Sequence, residues 1–157
     1  MIAAILSRAH RLTGILAAVA SAFLLTPNSA LAYTFKPTPT EWRLWPEYCR
    51  ARYVFTTVGS TSEFAAIYPK ADVQRWRTTL GEPTWSPLHH YCAGVIWLHR
   101  YRMARTDQDR RNMLKNAEDE CRYTFDRIPV TSPLYHQVAS DLMMARAMRG
   151  AYPQTSH

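Results

Sequence analysis

Proline limits what this chain can fold into. Ten prolines stand against five glycines in 157 residues. Each proline fixes φ and removes a backbone donor, so it suits the first turn of a helix and interrupts a helix or a central strand elsewhere. Between the prolines, apolar residues recur at helical spacing, and no stretch alternates apolar with polar residues long enough to define a strand. The expected fold class is all-α: about five antiparallel helices in one domain, residues 41–149, with a loose tail at 150–157.

The first helix is expected over 41–57, with Thr40 as its cap and Trp45, Cys49 and Tyr53 on one face. Pro46 fits that helix only if its regular part begins near Trp45. The VGSTSE segment reads as a loop, and a short helix over 69–80 ends at Gly81. Ser86 as cap and Pro87 as first residue open a long helix to about Arg105, striped by Leu88, Cys92, Val95, Ile96, His99 and Met103. Asp107 caps the next, to about Ile128, with Leu114, Ala117, Cys121, Phe125 and Ile128 on its buried face. Pro129 forces the exit, and the Ser132-Pro133 pair starts a last helix to Arg149, which Gly150 stops.

The N-terminus carries a different signal. Arg8 and Arg11 precede an apolar run from Leu12 to Leu25, Pro27 and Asn28 break it, and Ala30-Leu31-Ala32 supplies small residues for cleavage. Residues 1–32 read as a secretory signal peptide removed before Tyr33, followed by an extended lead-in at 33–40. A run of 14 apolar residues is short for a bilayer span, which needs about 20. The expected location is periplasmic or secreted, with no stable membrane insertion after cleavage.

Arginine supplies 16 of the 19 basic residues, against 12 acidic ones. Setting aside Arg8 and Arg11 leaves 17 against 12, a net of +5. The arginines interleave with aromatics, as in Arg75-Trp76-Arg77 and Arg100-Tyr101-Arg102. Arginine forks onto carboxylates and stacks on rings. Export argues against nucleic acid, so the expected partner is another envelope or extracellular protein with an acidic face.

Ser86-Pro87-Leu88-His89-His90 and Ser132-Pro133-Leu134-Tyr135-His136 match at a spacing of 46, and Tyr48-Cys49 and Tyr91-Cys92 at 43. Helix starts that recur at a similar period suit stacked helical hairpins. Ala93-Gly94 with Trp97, then Ala117, Thr124 and Pro129, resemble the small and aromatic positions and terminal proline of a tetratricopeptide-type array, over about 87–149. The resemblance implies a non-catalytic adaptor, scaffold or accessory subunit with a concave helical surface.

Three cysteines in an oxidising compartment leave one over. Cys92 and Cys121 flank the turn near Thr106 at similar distances, so they are expected at one level of a hairpin. A Cys92–Cys121 disulfide ranks first and Cys49–Cys92 second. An alternative reading, a small metal or redox protein, would use Cys49, His90, Cys92 and Cys121 as ligands. The chain has no CxxC, HExxH, CxxCH or Gly-rich phosphate loop, so no enzyme class and no cofactor is implied. Glu118, Asp119 and Glu120 are consecutive and read as a solvated face. Of the five tryptophans, Trp76 and Trp97 are expected inside. Trp42 and Trp85, with Arg100, Tyr101 and Arg102, are the candidate partner-binding residues, because interface energy concentrates in aromatic and arginine side chains.

Overall fold

The computed structural model describes residues 35–152. The signal-peptide reading, the first two residues of the lead-in and the last five of the tail lie outside the described residues. Within them lie nine helices and no strand: α1 (Pro39–Leu44), α2 (Glu47–Val54), α3 (Thr57–Ser60), α4 (Glu63–Ile67), α5 (Lys70–Leu80), α6 (Glu82–Trp85), α7 (Leu88–Met103), α8 (Asp107–Phe125) and α9 (Tyr135–Gly150). The fold is all-α. No helix among the described residues is long and apolar enough to cross a membrane.

The local breaks have local causes. The helix expected over 41–57 is two helices, α1 and α2, and reaches only the first residue of α3. Pro46 pushes Trp45 into extended backbone (φ −67°, ψ 140°) and ends α1. Thr38, not Thr40, caps α1 in a reciprocal box with Glu41. Thr56 accepts from the Gly59 N–H to start α3, so the segment expected as a loop holds most of α3 and the first residue of α4. Gly81 ends α5 as expected, at φ 71°, a conformation that costs other residues a Cβ clash. Ser86 does not cap α7: its backbone is already helical, in the turn that α6 supplies. Thr106, one residue before Asp107, caps α8. The last helix starts at Tyr135, because the Ser132 hydroxyl accepts from the Leu134 N–H and from the Thr84 hydroxyl instead of opening a helix at Pro133.

The long elements form a simple array. Glu41–Arg100, Cys49–Cys92 and Arg52–His89 step up α1 and α2 while stepping down α7, so these run antiparallel. Pro87–Thr124, His90–Glu120 and the Gly94–Ala117 approach set α7 antiparallel to α8. Phe125–Tyr135 and Glu118–Arg146 do the same for α8 and α9. Consequently α7 and α9 run parallel, and Thr84–Ser132, Tyr91–Asp141 and Tyr101–Tyr152 pair at sequence offsets of 48, 50 and 51.

One core gathers Trp45, Tyr53, Trp85, Leu88, Tyr91 and Ile96 around the disulfide, and a second holds Leu98, Leu114, Ala117 and Ala145 between α7, α8 and α9. Each large side chain so buried contributes roughly 1.5–3 kcal/mol. The tryptophans are distributed differently from expectation. Trp42 and Trp85 are core residues, 7% and 1% exposed, while Trp76 and Trp97 are only partly buried. The break at Pro46 folds α1 back, so that Trp42 stacks flat on Phe64 at 4.4 Å. The extra turn of α6 turns Trp85 inward.

Candidate functional site

Phe55 follows Val54 as the cap of α2, and it faces away from the core. Tyr53 and Phe55 lie about 200° apart on a helix, so the face that buries Tyr53 exposes Phe55, at 51%. Three side chains hold it. Trp85 backs it edge-on at 6.0 Å, and the guanidinium groups of Arg77 and Arg52 lie 5.3 and 5.8 Å from its ring centre. Arg52 is fixed in turn: its Nε donates to the Trp85 carbonyl at 2.8 Å, and its Nη2 to the Ser86 carbonyl at 3.0 Å and to His89 Nδ1 at 3.1 Å. His89 Nδ1 also lies 3.1 Å from the Ser86 carbonyl, so it sits between a donor and an acceptor. Burial and then the Arg52 and His90 charges push the His89 pKa down to about 3. Arg77 is held by Glu82 at 2.8 Å.

Beside Phe55 opens a groove of about 630 Å³, formed by the end of α2, by α3 and α4, and by the start of α5. Val54, Ala65, Ala66, Tyr68 and Val73 give it apolar walls, and Lys70 and Gln74 stand at its edge. Ile67, 72% exposed, adds apolar surface on α4. Phe55, Arg52 and Arg77 together make an aromatic and arginine surface that the sequence reading did not single out.

The expected partner-binding residues are mostly occupied elsewhere. Trp85 lies beneath that surface as its support, and Trp42 is in the core. Arg100 is a rivet. It donates to both Glu41 carboxylate oxygens at 2.6 and 2.9 Å and lies over the Trp97 and Phe35 rings at 4.7 and 4.9 Å. Burial alone would raise the Glu41 pKa, but the Arg100 hydrogen bond and charge, with the Thr38 N–H, hold it below the ordinary carboxylate value. Tyr101 reaches the Tyr152 hydroxyl at 3.4 Å. Arg102 alone of the five is exposed, on a small cavity shared with His99, Asp141 and Leu44.

The cysteines correct the expected order. The disulfide joins Cys49 to Cys92, with Cα atoms 5.4 Å apart, and Cys121 is a buried thiol. Cys92 and Cys121 are close in level, but level is not facing. It is Gly94 that faces Cys121, and two residues along a helix turn Cys92 by about 200°, toward α2. Burial, with the Asp141 and Glu120 charges, pushes the Cys121 thiol up to about 12. The ligand set Cys49, His90, Cys92 and Cys121 is therefore dismantled: two members are bonded to each other, and His90 holds Glu120 through Nδ1 at 2.6 Å. Among the described residues no three His, Cys, Asp or Glu side chains converge as a metal site.

The acidic run separates rather than forming one solvated face. Asp119 pairs with Lys115 across the surface at 2.6 Å and Glu120 with His90, but the Glu118 side chain is only 2% exposed and meets three arginines. Comparison with protein-family models, curated proteins and solved structures gives no match to this chain.

Proposed function

We propose that this protein is an exported, non-catalytic adaptor or accessory subunit that binds another envelope or extracellular protein, and that the groove beside Phe55 takes an apolar segment of that partner. The observation that carries this reading is Phe55 itself: a half-exposed aromatic, backed by a buried tryptophan and flanked by two anchored arginines, at the rim of a 630 Å³ apolar groove. A pre-ordered aromatic and arginine cluster of this kind loses little side-chain freedom on binding. The Cys49–Cys92 bridge supports export, since such bonds persist in oxidising compartments. The parallel offset of α7 and α9 supports a repeat-like array, as the resemblance to tetratricopeptide-type proteins implied.

The test is site-specific photo-crosslinking in the native cell envelope, with the reactive residue at Ala66 in the groove and, as control, at exposed Val130 between α8 and α9. One defined protein adduct from position 66, suppressed by excess unmodified chain and by Phe55→Asp, is expected. No adduct, or the same adducts from both positions, would overturn the reading.

A further inference from the structure

The seam between α8 and α9 carries more positive charge than its fold requires. Glu118 is buried, and three guanidinium groups converge on it: Arg122 Nη2 and Arg146 Nε on Oε1, the latter at 3.1 Å, and Arg149 Nη1 at 3.0 Å from Oε2. One carboxylate neutralises one of the three. The contact at Oε2 lies outside hydrogen-bond alignment, so that oxygen has an ion-pair neighbour and no hydrogen bond. The three arginine side chains are 44–48% exposed, and no ion pair joins them to another carboxylate among the described residues. Two guanidinium groups sharing Oε1 sit close together, and each carries five donors, of which one in Arg122 and one in Arg146 bonds Glu118. A buried acid that gathers several arginines fixes their orientation without satisfying them.

The charge also has a shape. Arg111, Lys115, Glu118 and Arg122 recur at i, i+4, i+7 and i+11, one narrow stripe of α8. Its only acidic member is the buried one. The stripe from Arg111 to Arg122 is about 16 Å long, which matches about five residues of extended peptide at about 3.3 Å each. Arg146 and Arg149 widen it from α9. Lys115 is tied to Asp119, in an exposed pair that contributes little and exchanges readily.

We infer that the α8–α9 seam is a docking stripe for an extended acidic segment of a protein partner, with Glu118 as the positioning residue that holds Arg122, Arg146 and Arg149 toward it. The site is separate from the Phe55 groove and stands whether or not that groove is occupied. An elongated stripe favours a chain of carboxylates over a lone ion, and charge-assisted forked bonds from arginine suit carboxylates. Electrostatic complementarity of this kind sets on-rate and specificity, and it weakens with salt.

A dye-labelled hexaglutamate peptide tests this by fluorescence anisotropy at low ionic strength, with hexaglutamine as its neutral counterpart. The expected result is saturable binding of the acidic peptide that Arg146→Gln/Arg149→Gln weakens about tenfold. The double variant Arg43→Gln/Arg105→Gln, which removes equal charge from other exposed positions, leaves binding within about twofold. Equal weakening by both pairs would mean non-specific attraction and overturn the inference. Hydrogen exchange on the unaltered chain needs no variant to fold. Protection on peptide addition should fall on residues 111–122 and 146–149, and protection elsewhere, or none, would contradict the site. Tighter binding of inorganic phosphate or anionic lipid vesicles through the same arginines would also overturn it, in favour of a phosphate ligand.

Discussion

Gly94 is a point of close approach between α7 and α8, and its replacement tests the packing directly. A Cβ added there would lie 2.6 Å from Cys121 Sγ and 3.3 Å from both the Ala117 carbonyl oxygen and the Cys121 nitrogen. Ordinary contact between such atoms is about 3.5–4.0 Å, so Gly94→Ala must move the Sγ or part the helices. Neither gives way easily, because Cys121, Ala117 and Leu114 are all fully buried. Overpacking of this size costs about 1–3 kcal/mol, and the better helix propensity of alanine offsets about 1 kcal/mol of it. The net expectation is a loss of up to about 2 kcal/mol, or a Tm lower by up to about 8 °C. Urea unfolding followed by tryptophan fluorescence, without reductant, measures it. The closest clash is with one sulfur, so Cys121→Ala should relieve it: in the double variant Gly94→Ala should cost about 1 kcal/mol less than alone. Additivity of the two changes, or a Gly94→Ala protein more stable than the parent, would refute the close approach.

Three other outcomes follow from the same packing. Replacing both Cys49 and Cys92 by serine opens a bridge across a sequence separation of 43 and should cost about 4 kcal/mol by loop entropy, read as a lower urea midpoint than that of the oxidised parent. Cys121, buried with its thiol raised to about 12, should resist a thiol reagent in the native chain and react as one equivalent once denatured; rapid native labelling would contradict its burial. His89 is neutral when folded, with a pKa near 3 against about 6.5 unfolded. Its contribution is complete above pH 6.5 and is lost as pH falls toward 3, because the unfolded state takes up the proton first. Stability should therefore drop between pH 6.5 and 4.5, before Glu41 titrates, and His89→Gln should flatten that interval.

Much of the architecture was legible because it is written in helical periodicity. The stripes of Leu114, Ala117 and Cys121, and of Val138, Leu142 and Ala145, are buried as their spacing requires. What periodicity lacks is the facing of one helix against another. Cys92 and Cys121 share a level, and only the rotation of α7 decides that Cys92 looks toward α2. The division of 41–67 into four helices depends on Pro46 and on side-chain caps from Thr38 and Thr56, whose competition with neighbouring threonines and serines leaves no clear pattern. The surface around Phe55 carried a readable signal, since Phe55 lies opposite the Trp45, Cys49 and Tyr53 face. The α6 turn that brings Trp85 beneath it did not, because the Ser86-Pro87 pair reads as a simple helix start. Glu118 looked solvated because its burial comes from α9, far along the chain.

The most direct measurement of the binding role is native mass spectrometry of the untagged protein drawn from its own cell envelope, followed by denaturing spectra with and without reductant. The expected spectrum places the chain in a larger assembly with a second protein. The chain released from it should be two hydrogens lighter than its reduced form, with the bond mapped to Cys49 and Cys92. A lone chain under native conditions, with all three cysteines reduced, would contradict both the adaptor role and the bridge that holds its scaffold together.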